Sequence, residues 1–130
     1  MIAAGWGRIV NVASTAAIKG YAYTAAYSAS KAGLLGWTRA LAVELASKDV
    51  TVNAVCPGFT DTDIVADAAR NIQATTGRSE DDARKALARF SPQGRLRSPA
   101  EVADLVAWLA RRGAGGVTGQ ALAIDGGETA

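Results

Sequence analysis

The chain has 130 residues, of which 49% are hydrophobic and 20% charged, and its 14 basic and 12 acidic side chains leave a net charge of +2. This is enough for one core and too little for two ordinary domains, so residues 1–130 read as a single unit, and charge scattered without blocks excludes a nucleic-acid footprint. The absence of histidine and the lone Cys56 exclude Ser-His-Asp catalysis and an internal disulfide and speak against a metal such as zinc, while no apolar run reaches the length of a membrane span.

Met1-Ile2-Ala3-Ala4-Gly5 lacks the basic stretch and long apolar core of a signal peptide, and a single cysteine suits a reducing compartment, so a cytoplasmic protein is expected. Arg8 to Ala13 is a short β-rich run that ends at Ser14. Ala25 to Ser47 is rich in alanine and leucine, with Leu34, Leu41 and Leu45 at helical spacing, and predicts a long, mostly buried helix. Gly33 and Gly36 weaken helix propensity by about 1 kcal/mol each, which implies close approach of another backbone, from the sheet or from another subunit.

Val50 to Cys56 is the second β-rich run, and the turn Pro57-Gly58-Phe59-Thr60-Asp61-Thr62 follows it. Ligands of open α/β sheets bind at the carboxyl ends of the strands, so this turn, with accessible backbone and the Thr60 and Thr62 hydroxyls, is a candidate binding segment. The alternative is an ordinary strand-to-helix turn capped by Asp61 or Thr62. Residues 60–97 are polar, charged and punctuated by Gly77, Pro92 and Gly94, the pattern of a long excursion with helical pieces, either a mobile lid or a solvated hairpin. Ser98-Pro99-Ala100-Glu101 is a capping box, and Val102, Leu105, Val106 and Leu109 form the apolar face of the helix it starts. Gly113, Gly115 and Gly116 end that helix before the third β-rich run, Ala121 to Asp125. The alternation predicts an α/β fold with three parallel strands.

Tyr27 and Lys31 stand four residues apart, with Ser14 thirteen residues before Tyr27. On a helix, four residues advance roughly 400°, which places the phenol and the ammonium on one face about one turn apart. A cation about 5 Å away at an effective dielectric of about 20 favours a phenolate by roughly 3 kcal/mol, or about two pK units. A tyrosine so placed can serve as an acid/base near neutrality. Alone, such a pair is more often a solvated pair on a helix surface, and Ser14 alone an ordinary strand-end hydroxyl. The weight lies in the three together.

The series Ser14, Tyr27-x-x-x-Lys31, Asn53-Ala54-Val55-Cys56-Pro57-Gly58-Phe59-x-x-Thr62, Ser98-Pro99-x-Glu101-Val102-Ala103 and Ile124-Asp125-Gly126-Gly127 resembles the short-chain dehydrogenase/reductase family over essentially the whole chain. Arg8-Ile9-Val10-Asn11 and Pro57-Gly58-Phe59 lean towards its ketoreductase branch, which includes 3-oxoacyl carrier-protein reductases. The resemblance implies a Rossmann-type doubly wound parallel sheet and an NAD(P)-dependent oxidoreductase. Hydride would move between the nicotinamide and a carbonyl or alcohol, such as a 3-oxoacyl thioester. Tyr27 would pass the proton, Ser14 would hydrogen-bond the substrate oxygen, and Lys31 would both lower the tyrosine pKa and hold the ribose hydroxyls. Pro57, Gly58, Thr60 and Thr62 would line the nicotinamide, the two threonines reaching its carboxamide or the phosphates. Asp63 to Arg95 would be the substrate lid.

The same resemblance implies a fold about twice as long, of which this chain matches the second half. A dinucleotide fold needs a glycine-rich turn after its first strand and a charged selector about 20 residues later. Gly113-Ala114-Gly115-Gly116-Val117-Thr118-Gly119 is not that turn, because it precedes a strand and carries Thr118 at its sixth position. The family's supporting asparagine has no counterpart either, since Asn11 lies in the strand before Ser14. The chain therefore reads as a carboxyl-terminal fragment without its nucleotide-binding half. NAD and NADP cannot be told apart on residues, and the branch slightly favours NADP. An absent first half would expose a sheet edge and a face of the long helix, so a homo-oligomer, dimer or tetramer, or a complementing amino-terminal half is expected. The competing reading is a catalytically silent association module. An epimerase- or dehydratase-like relative fits the spacing from Ser14 to Tyr27 less well.

Overall fold

A computed structural model describes residues 1–130. Three strands, β1 (Gly7–Val12), β2 (Val50–Pro57) and β3 (Ala121–Ile124), form one parallel sheet in the order β1-β2-β3. Each begins and ends within a residue of its expected place. β2 is central, and every residue from Val50 to Cys56 is buried, as a parallel strand covered on both faces requires. Val50, Val52, Ala54 and Cys56 face Leu35, Ala42 and Leu45 of the helix α1 (Ala25–Leu45). By alternation, Thr51, Asn53 and Val55 point the other way. Asn53 is buried but fully used: its amide donates to the Val117 carbonyl at 2.7 Å and accepts from the Gln120 N–H at 3.1 Å, tying the loop before β3 to the central strand.

Residues 60–97 contain a helical hairpin, α2 (Asp63–Thr76) and α3 (Glu80–Ala88). Gly77 ends α2 at φ 71°, where a side chain would be strained, and its N–H closes on the Gln73 carbonyl. Val65 and Ala69 of α2 and Ala83 and Leu87 of α3 are the residues the hairpin buries. The helix α4 (Pro99–Leu109) packs on β2 and β1. Its capping box is complete: Ser98 Oγ accepts from the Glu101 N–H at 3.2 Å, and a Glu101 carboxylate oxygen accepts from the Ser98 N–H at 2.7 Å.

α1 departs from expectation in two ways. It is not mostly buried: Leu35, Thr38, Ala42 and Leu45 make one buried stripe, while Trp37 and Val43 are exposed. Its polar residues, Ser28, Ser30, Lys31, Thr38, Arg39 and Glu44, are spread round the helix, so no polar face marks which side is covered. Nor does any part of this chain approach Gly33 or Gly36, where a Cβ would meet nothing within 4 Å. The sheet is therefore not the neighbour those glycines implied. No helix is long and apolar enough to cross a membrane, and no cluster of His, Cys, Asp or Glu could hold a metal ion.

Candidate active site

The carboxyl ends of β1 and β2 open into a cavity of about 440 Å³. Ser14, Tyr27, Lys31, Pro57, Gly58, Thr60 and Thr62 all line it, so the residues singled out from the sequence share one space. Ser14 stands just beyond β1 in extended backbone, and its Oγ accepts from the Ala16 N–H at 3.1 Å, capping the short turn Thr15–Ala17. With its oxygen accepting there, the hydroxyl proton is free to be donated to a ligand oxygen.

Tyr27 lies in the first turn of α1 and is half exposed, leaving the phenol accessible. One turn on, the Lys31 ammonium donates to the Val12 carbonyl at 3.1 Å and sits 5.7 Å from the Tyr27 ring centroid. The end of β1 thus fixes the cation beside the ring. Two of its three N–H donors remain for a ligand.

A short parallel bridge holds the turn after β2: the Arg97 N–H donates to the Phe59 carbonyl at 2.9 Å and the Asp61 N–H to the Arg97 carbonyl at 2.8 Å. Thr60 donates its hydroxyl to the Gly58 carbonyl at 2.9 Å, and Thr62 to the Thr60 carbonyl at 3.2 Å. With both protons turned into the backbone, the hydroxyls offer lone pairs, which suit a ligand N–H better than an anion. Thr62 occupies the cap position of α2 without making a capping bond, and Asp61 pairs with Arg84, so the turn is not explained as a helix cap. Gly58 sits in close packing: a Cβ would lie 3.1 Å from Asp125 Cα and from Glu128 Oε2, so a larger residue would press on the tail after β3.

Two titratable groups near the site are structural. Burial pushes the Asp125 carboxyl up, but hydrogen bonds from Thr129, Gly127 and Glu128 outweigh it and hold the group below the usual carboxylate range, so it braces the tail as an anion. Burial raises the Cys56 thiol, which makes it an inert core group.

A family model described as Enoyl-(Acyl carrier protein) reductase matches residues 1–129. The chain belongs to the short-chain dehydrogenase/reductase family. Over 127 residues, 98% of this chain, it is 45% identical to a putative ketoacyl reductase of Streptomyces coelicolor, of which it covers 49%. It is 43% identical over 98% of its length to a 3-oxoacyl-(acyl-carrier-protein) reductase of Pseudomonas aeruginosa, covering 47% of that protein. A solved structure of an actinorhodin polyketide ketoreductase with NADPH superposes with a TM-score of 0.93 at 43% identity, over 99% of this chain and 49% of that one. The chain thus spans about half the length of the curated relatives it matches. Its three parallel strands and helices are part of the Rossmann-like architecture of this short-chain dehydrogenase/reductase family, whose matched members are oxidoreductases.

Sequence reasoning passed over Tyr21 and Glu128. The Tyr21 hydroxyl contacts both Thr15 and Glu128, the latter 107 residues away, and Tyr21 lines the cavity. No local pattern links residues so far apart. The one available signal was the pair Tyr21 and Tyr23 in the loop between Ser14 and Tyr27, of which Tyr23 is fully exposed.

Proposed function

We propose that the chain carries the proton-transfer part of an NAD(P)-dependent ketone reductase, acting on a carbonyl or alcohol such as a 3-oxoacyl thioester. The observation that carries this reading is the gathering of a free hydroxyl donor, an accessible phenol and a fixed ammonium, from Ser14, Tyr27 and Lys31, around one cavity at the strand ends. Neighbours solved with NADPH and with NADP favour NADP over NAD.

The residues fit the nicotinamide end of such a cofactor. Lys31 has donors to spare for ribose hydroxyls, and Thr60 and Thr62 present acceptors suited to carboxamide N–H groups rather than to phosphates. Bound there, the nicotinamide would supply or accept hydride. Ser14 would hold the carbonyl oxygen by its free proton. Tyr27 would give its phenolic proton to that oxygen as the alcohol forms, and the charge of Lys31 would stabilise the phenolate left behind. The 130 residues contain no glycine-rich turn for the adenosine half. A complementing nucleotide-binding half would supply it.

The α2–α3 hairpin is the candidate lid: Thr62, Ile64 and Val65 bring its start to the cavity edge, and α2 and α3 pack on each other. A second reading, association, is favoured by the outer face of α1, with Trp37 and Val43 exposed and open space at Gly33 and Gly36. Sedimentation of the chain is expected to give a dimer or larger; a clean monomer would count against a homo-oligomer.

The reading is tested by titrating the chain with NADPH and NADH while following energy transfer from Trp6, Trp37 and Trp108. Saturable transfer, lost in Lys31→Ala, is expected. Its absence at millimolar nucleotide would mean that the trio stands idle in this chain.

A further inference from the structure

Behind the cavity wall lies a carboxylate with no part in the chemistry above. Glu128 follows the Asp125-Gly126-Gly127 turn, and its side chain is 1% exposed. One oxygen accepts from the Tyr21 hydroxyl and lies 3.4 Å from the Lys19 ammonium. The other is buried beside Gly58 with no partner. Tyr21 has one proton to give and a carboxylate can only accept, so the Thr15 hydroxyl, 2.7 Å from the Tyr21 oxygen, completes the chain as its donor. The Tyr21 ring stands edge-on to Phe59 and Phe90, with centroids 5.9 and 5.7 Å away. Tyr21, Thr15 and Phe59 line the cavity. A half-satisfied buried carboxylate costs stability. What it secures is the place of one ring.

We infer that Glu128 is a positioning residue that, through Tyr21, fixes the Tyr21–Phe59 wall of the cavity, the surface on which the apolar remainder of a ketone substrate rests. This rests on the ketone reading of the cavity and goes beyond it, by giving the tail after β3 a role in substrate fit. Burial first, and then the bond to Glu128, hold the Tyr21 phenol above the ordinary tyrosine range, so its proton stays in the bond at neutral pH.

Proton NMR of the chain is expected to show one slowly exchanging, downfield tyrosine hydroxyl among three tyrosines. Tyr21→Phe and Glu128→Ala should remove it, and Glu128→Gln, which keeps an acceptor, should retain it at a shifted position. In turnover of a ketone with a bulky acyl part, Glu128→Ala should raise KM about tenfold, more than it lowers kcat, with Gln restoring most of the loss. An unchanged hydroxyl signal or unchanged KM in folded Glu128→Ala overturns the inference. If that variant does not fold, Tyr21→Phe, which leaves the Glu128–Lys19 pair in place, must give the same rise in KM, and no rise overturns the inference equally. Failure of the ketone reading is separate: it would show as full turnover by Tyr27→Phe while the hydroxyl signal stands.

Discussion

Across β2, seven consecutive residues from Val50 to Cys56 are buried, whereas the whole α2–α3 hairpin buries only Val65, Ala69, Ala83 and Leu87. The sheet positions Ser14, Lys31 and Pro57 through strand ends and a packed helix. The hairpin joins it through the Thr60–Arg97 bridge, the exposed Asp61–Arg84 ion pair and the cluster of Tyr21, Phe59 and Phe90. The groups proposed to transfer a proton stand on the part with the most buried surface, and the proposed lid is held by few contacts.

The largest effects are expected at the site. Lys31→Ala is expected to lower kcat/KM by about 10²–10⁴-fold in any preparation that reduces ketones, while the denaturation midpoint shifts by no more than one hydrogen bond's worth, about 1 kcal/mol. A large loss of stability would show that the lysine is structural. Next come the two cores. Leu109 is fully buried, and Leu109→Ala should lower the unfolding free energy by about 2–5 kcal/mol in urea. Leu87→Ala should speed proteolysis within residues 63–90 with a smaller change in the global midpoint. Equal global losses would mean that sheet and hairpin unfold as one unit. Ser98→Ala removes the cap of α4 and should cost about 1 kcal/mol.

The smallest effects are electrostatic. Asp61→Asn breaks an exposed, solvent-screened pair and should show as faster amide exchange in α3 rather than a moved midpoint. Arg95, and then the Ser98 N–H, hold the Glu101 carboxyl down at about 2 from an ordinary 4.5. A depressed carboxylate favours the folded state when ionised, so its contribution is whole above about pH 4.5 and fades as the pH falls towards about 2. The stability gap between the parent and Glu101→Gln should close over that window. A constant gap would assign it to something other than the charge.

Much of this was legible in the sequence because it is local. Strand runs, the capping box at Ser98 and the i,i+4 pairing of Tyr27 with Lys31 are each set by residues within a turn or two, and the structure places all three as the patterns imply. The exposure of α1 was not legible, since its alanines and leucines give no polar face to mark the outside. Arg97, 3% exposed and bonded to the Gln93 side chain and the Arg95 carbonyl, was also hidden, because an arginine in a polar loop reads as solvated. The Tyr21–Glu128 contact joins segments that only the folded sheet brings together.

Whether Tyr27 is the acid/base of a ketone reductase is decided by ketone-dependent NADPH oxidation by the parent and by Tyr27→Phe in the same preparation. Turnover is expected to fall by about 10²–10⁴-fold while nucleotide binding and the fold are retained. Full activity in the folded variant would contradict that role.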